Sequence, residues 1–209
     1  QPAGFIPVDG EPTSLVILRG KIMAAVDASK LFYQPEGHLV TIDIATRKVI
    51  EKCNLQGQPD SVALDKMGRN IVVVLENQRD EALNKGAIPQ LPAGNVTILP
   101  IKNGVPDCTG AHPINLTGLA EIAPTDPEPE FVKVNAKGMA VVSLQENNHL
   151  VLIDVAKRQV VRHFSAGSVN LKQVDLKRDG VINPSESITG VLREPDAVAW
   201  LDDNRFVTA

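Results

Sequence analysis

The sequence predicts an all-β fold, a β-propeller of four-stranded antiparallel blades. Three observations predict it. Residues 129–167 hold four short runs rich in β-branched residues, divided by the turn-formers Ala136-Lys-Gly138, Glu146-Asn-Asn148 and Ala156-Lys-Arg158. That unit, about forty residues long, has the size of one propeller blade. It recurs around Pro12, Pro59 and Pro195, each opening an apolar run.

Each element follows from this ruler. First strands are Leu15–Leu18, Val62–Leu64, Phe131–Val134 and Ala197–Trp200, and turns follow at Gly20, Gly68, Gly138 and Asn204. Second strands are Ile22–Val26, Ile71–Leu75 and Met139–Leu144, closed by Asp27, Glu76 and Glu146. Third strands are Leu39–Asp43, Val96–Leu99 and Leu150–Asp154, and fourth strands are Lys48–Cys53 and Gln159–Phe164. The fourth strand of the second unit is expected between Pro113 and Leu119.

The units are expected at about residues 12–57, 59–127, 129–193 and 195–209, all part of a single propeller domain. Glu76 and Glu146 each lie 17 residues after their Pro, and the same offset from Pro195 falls beyond Ala209. About three and a half blades are therefore expected, with the ring incomplete. The remaining blades would come from the same polypeptide after residue 209 or from another chain, because propellers need about four to eight.

The spacings between successive Pro residues are 47, 70 and 66, so the later units carry insertions. Residues 78–94 form a loop between second and third strands, while residues 118–128 and 168–193 join units. In an up-and-down blade these connections share one face, and that face is the expected functional surface.

Composition narrows the function classes. The 209 residues carry a net charge of −4 with no basic run, which disfavours nucleic acid and anionic membranes as partners. Aromatics are only 3%, too few for a surface that stacks bases or sugars. No apolar run reaches the roughly 20 residues of a transmembrane helix. No basic and apolar leader is present, and a first residue of Gln suggests a processed start, consistent with secretion. Cys53 and Cys108 end the first and second units in comparable places, so a disulfide and two free thiols both stay open.

Three constellations carry candidate chemistry. Asp60, Glu130 and Asp196 precede first strands, and Glu76, Asn77, Glu146 and Asn147 follow second strands. Repetition about an axis would turn several of these oxygens toward one mouth, where Glu76, Glu130, Glu146 and Asp196 are candidate ligands of Ca²⁺. The competing expectation is that such residues end strands and tie loops through backbone hydrogen bonds. A second candidate is residues 175–186, which approach the calcium-loop pattern through Asp175, Asp179 and Glu186 but place Lys177 where an oxygen is needed. Arg79, Asp80 and Glu81 read first as a solvated charged loop, with substrate contact as the alternative. The histidines show neither metal spacing nor a partner for a nucleophile, and no nucleophile elbow or phosphate-binding glycine loop occurs.

Pro129-Glu-Phe-Val, the run Leu144–Asp154, and Arg193–Ala199 with Phe206-Val-Thr-Ala209 resemble the choice-of-anchor I propellers. Relatives include mesenchyme-specific cell-surface glycoproteins and proteins of esterase-like activity of phytase. The resemblance covers most of the chain from about Gly37. In that family the Val-Thr-Ala segment usually continues into an Asn-Glu-Gly-Asp-like motif, which is absent here because the sequence ends at Ala209. The resemblance implies an extracytoplasmic propeller, in some relatives with phosphatase or phytase activity. The first expectation for function is a binding or structural module that presents its insertion face to a protein or matrix partner. The alternative is a Ca²⁺-dependent phosphoesterase.

Overall fold

A computed structural model describes residues 4–209. β1 (Glu11–Leu18), β2 (Lys21–Asp27), β3 (Gly37–Asp43) and β4 (Lys48–Leu55) form an antiparallel sheet in chain order. β5 (Pro59–Leu64), β6 (Asn70–Leu75) and β7 (Asn95–Lys102) begin the second. β7 then pairs with both β8 (Val105–Pro106) and β9 (His112–Asn115). The fourth strand expected within residues 113–119 is β9, which starts one residue earlier. β10 (Pro129–Val134), β11 (Met139–Leu144), β12 (His149–Asp154) and β13 (Gln159–Ser165) form the third sheet.

Residues 168–193 depart from the expected plain connection. They fold into a hairpin of β14 (Ser168–Val174) and β15 (Glu186–Leu192). Alternating Val169, Leu171 and Ile188, Leu192 supply its strand pattern, diluted by polar neighbours that masked it. A final hairpin, β16 (Val198–Trp200) and β17 (Phe206–Thr208), pairs antiparallel.

Hydrophobic alternation explains the stacking of sheets. Met23, Leu39, Val62 and Ile71 belong to one core between the first and second sheets. Val72, Val96, Val132 and Val151 belong to another between the second and third. Phe131, Phe164, Trp200 and Phe206 gather with Val141 and Val198 where the last hairpin meets the third sheet. Adjacent residues of β6, Ile71 and Val72, thus serve opposite faces, as a strand buried on both sides requires. Neighbouring sheets meet through their innermost strands, β1 with β5, β5 with β10, and β10 with β16. The arrangement is a β-propeller, and β14–β15 stands outside these cores.

Inner hairpins turn on Gly68 and Gly138, at φ of +62° and +82°, where a side chain would be strained. Each of the first three inner strands also breaks register near its opening Pro, between Pro12 and Ser14, Pro59 and Val62, and Pro129 and Val132. These bulges re-aim the residues that follow the Pro. Seryl groups join the sheets beside them. The Val62 amide donates to Ser14 Oγ at 3.3 Å, and the Val132 amide donates to Ser61 Oγ at 3.4 Å.

A disulfide, Cys53–Cys108, ties the end of β4 to the turn after β8, with Cα atoms 5.1 Å apart. It closes a sequence separation of 55 residues. Among the described residues no helix is long and apolar enough to cross a membrane.

Candidate functional site: an acidic mouth on the insertion face

Two asparagines build the frame. Asn77, just after β6, accepts from the Gln58 amide at 2.8 Å and donates to the carbonyls of Pro92 and Ala93. Asn147 occupies the equivalent place after β11. It accepts from the Glu128 amide at 2.9 Å and donates to the carbonyls of Ile122 and Asp126, each at 3.0 Å. Each amide clamps an insertion to the residue that precedes the inner-strand Pro. Both side chains are buried and spent on backbone groups, so their oxygens do not face a mouth as the sequence suggested. Asn148 fastens the third connection through the carbonyls of Gly167 and Arg193.

The insertions touch one another at this face. Gly94 donates its amide to Pro127 O at 2.9 Å, and the Gln90 amide donates to Asp126 Oδ2 at 2.6 Å. A Cβ on Gly94 would stand 2.5 Å from both Leu75 O and Pro129 Cδ, so the loop must approach the sheet as bare backbone.

Inside this frame lies a cavity of about 90 Å³ walled by Glu76, Gln78, Arg79, Glu81, Glu128, Glu130 and Glu146. Glu76 follows β6 and Glu146 follows β11, and both border the same space. Glu130 lies in the bulge of β10, and Asp60 in the matching bulge of β5. Asp60 and exposed Asp196 flank the cavity electrostatically rather than lining it. The structure therefore gathers Glu76, Glu130 and Glu146 and leaves Asp196 at the margin.

Crowded, desolvated carboxylates resist ionisation. Burial, then the charges of Glu130, Asp60, Glu128 and Glu146, push Glu76 up to about 8. Burial and Asp126 push Glu128 up to about 7, against the lowering pull of Arg79. Glu130 rises to about 7 through burial and the charges of Asp60, Asp196 and Glu146. Asp60 rises to about 6 through burial and Asp196.

Of two residues that matter here, one departs from its first sequence reading and the other escaped that reading. Arg79 is not a solvated loop charge. Its side chain is only 21% exposed, with Nη1 2.7 Å from Glu146 Oε1 and 3.7 Å from Glu128 Oε2. Glu128 is 2% exposed, and its Oε1 has no hydrogen-bond partner. The only sequence signal for Glu128 was its place before the inner-strand Pro, which it shares with Glu11, Glu194 and the uncharged Gln58.

The loop of residues 175–186 is organised differently. Asp175 accepts from the Lys177 and Asn183 amides, Asp179 from the Val181 amide, and Glu186 from the Leu176 amide. Lys177 Nζ lies 4.0 Å from Glu186 Oε1, so the residue that stands where an oxygen ligand is needed turns toward a carboxylate of the same loop. Among the described residues no three His, Cys, Asp or Glu side chains converge in a group able to hold a metal ion as they stand. Three of the four histidines are engaged elsewhere, His38 with the Val8 carbonyl at 2.7 Å and His149 with His163 at 3.0 Å.

Stacked antiparallel sheets meeting along their inner strands, with a mouth at the end where those strands begin, define a β-propeller protein. The chain belongs to the choice-of-anchor I domain family, whose model matches residues 3–207. Among solved structures it is similar to hydrazine synthase of Kuenenia stuttgartiensis, at 14% identity and a TM-score of 0.52, over 79% of this chain and 38% of that one. It is also similar to the WD40 repeats of RRP9, at 7% identity and a TM-score of 0.50, over 78% of this chain and 42% of that one. A functionally unknown protein of Desulfotomaculum acetoxidans aligns at 12% identity and a TM-score of 0.51, over 93% of this chain and 61% of that one. These likenesses are of fold, and the chain spans less than two thirds of each neighbour. No curated protein matches it in sequence.

Proposed function

We propose that this chain is part of an extracytoplasmic binding module whose insertion face holds a cationic group of a protein or matrix partner in the acidic mouth. One observation carries the reading: Glu128 is buried in the wall of that cavity with a carboxylate oxygen left unpartnered. A buried acceptor without a donor is costly, and an incoming cation supplies the missing donor. Arg79 meets part of the demand through Glu146 and the other oxygen of Glu128. The Cys53–Cys108 disulfide suits an oxidising compartment, as does the choice-of-anchor domain. Further blades, from this polypeptide or another, would complete the ring.

The test is retention of a stoichiometric partner from the extracytoplasmic fraction of the source organism. The unaltered chain should retain it, and Glu128→Gln with Glu130→Gln should not. Equal retention by both would refute the reading.

A second reading draws on the same carboxylates. Hard oxygen donors suit Ca²⁺, so Glu76, Glu130, Glu146 and Asp196 are the residues that would hold it in a phosphoesterase. Bound there, the ion would polarise a phosphoryl oxygen. Glu146 would first have to exchange its ion pair with Arg79 for the metal.

A further inference from the structure

Beside the acidic mouth the same face carries an apolar groove. The loop between β2 and β3 exposes Phe32 and Tyr33 at 47% and 65%, and the insertion exposes Leu83 and Leu91 at 52% and 65%. With Pro89 and Gln78 these side chains line a cavity of about 160 Å³. Tyr33 is the only tyrosine of the chain, in a composition with 3% aromatics. Aromatic side chains left in water on a loop are a mark of contact surfaces.

Groove and mouth share one frame. Gln78 lines both cavities and is held by Gln58, its amide donating to Gln58 Oε1 at 3.0 Å. Gln90 accepts from the Asp80 amide at 2.9 Å and donates to Asp80 O at 3.1 Å. Its own amide is fixed by Asp126, two residues before Glu128. Both subsites are therefore built before any ligand arrives, which lowers the cost of binding.

We propose that the occupant of this face is an extended segment of a partner protein, with a Lys or Arg head in the acidic mouth and a nearby apolar side chain in the Phe32–Tyr33–Leu91 groove. The inference rests on the reading of the mouth as a cation-binding site and adds the class of partner. Charge complementarity selects the cation, since Glu128 and Glu130, which ionise from about pH 7, remain after Arg79 has engaged Glu146. The same field repels phosphate, which disfavours nucleic acid and anionic lipid. Two adjoining subsites of opposite character suit two side chains of one backbone better than a single ion. A cavity of about 90 Å³ admits one ammonium or guanidinium head, so the expected stoichiometry is one segment per mouth.

The experiment is fluorescence polarisation of the 209-residue chain with labelled eight-residue peptides that set one Lys one to four positions from one Leu. Matched peptides replace Lys by Gln or Leu by Ser. Peptides with both groups should bind tightest, and either replacement should weaken binding on the order of tenfold. Glu128→Gln should erase the preference for Lys over Gln. Tyr33→Ser with Leu91→Ser, both exposed, should erase the preference for Leu over Ser, with an unchanged urea midpoint as the check on folding. If Tyr33 and Leu91 matter while the peptide's charge does not, the cation subsite is wrong although the face still binds partners. CaCl₂ that binds alone, with no peptide in the series binding, would overturn the peptide and leave a cation site. Peptides that bind equally to all variants would remove both this inference and the reading beneath it.

Discussion

Arg79 Nη1 stands 2.7 Å from Glu146 Oε1, so the insertion of the second sheet supplies the counter-ion for the turn of the third. The same guanidinium reaches Glu128 at 3.7 Å. An internal cation thus holds two acidic positions near one another and fixes the loop that walls the groove. Replacing it by Met keeps the stem's packing and removes the charge. Arg79→Met is expected to destabilise the chain by about 1–2 kcal/mol at pH 8, allowing for the partial exposure of Arg79 and Glu146. At pH 5, where Glu128 is protonated, the loss should shrink. Urea unfolding at the two pH values measures both.

The raised carboxylates make stability depend on pH in a definite direction. Glu76, Glu128 and Glu130 hold protons up to about 8, 7 and 7 in the fold, whereas the unfolded chain loses them near 4.5. Between these limits the folded state binds more protons, so stability falls as pH rises. The expected loss runs from about pH 4.5 to pH 8. Glu76→Gln should stabilise the chain at pH 8 by about 1–3 kcal/mol and leave it nearly unchanged at pH 4. Thermal melts across that range check the sign, and a stability that climbs with pH would contradict it.

Reduction should be costly. Cross-linking two points 55 residues apart restricts the unfolded chain by about 4 kcal/mol on the loop-entropy account. Cys53→Ser with Cys108→Ser, or treatment with dithiothreitol, should lower stability by that order. The loss should appear as a lower urea midpoint with a steeper slope, because the unfolded chain without the cross-link exposes more surface.

Asn147 is a structural clamp and not a ligand. Removing its amide orphans the buried Glu128 amide and the carbonyls it serves, so Asn147→Ala should cost about 2–3 kcal/mol. Amide exchange in residues 118–128 should accelerate, with less change in β12 and β13.

Much of the fold was written in spacing. Pro, an acid, one further residue and then Val mark the bulged start of β5 and β10, and the 17-residue offset to Glu76 and Glu146 brings both to one cavity. β14 and β15 were harder to read because polar residues interrupt their apolar alternation, and β8 is only two residues long. The site was legible in its acids and illegible in its cation. Arg79 and Glu128 lie 49 residues apart in sequence, and the clamps at Asn77 and Asn147, with the Gly94 and Gln90 amides on Pro127 and Asp126, bring their loops together. Asn at those positions looked like a ligand because amide oxygens serve metals and backbone amides equally well.

The central claim is that the mouth accepts a cation, and a lysine side-chain analogue tests it most directly. Titration of n-butylammonium into the chain, followed by the ¹³C resonances of the Glu side-chain carboxyls, should give a saturable shift at the resonances of Glu128 and Glu130. Affinity should rise from pH 6 to pH 8 as these groups ionise, and Glu128→Gln should abolish saturation. A linear, unsaturable response shared equally by the chain and Glu128→Gln would contradict the account.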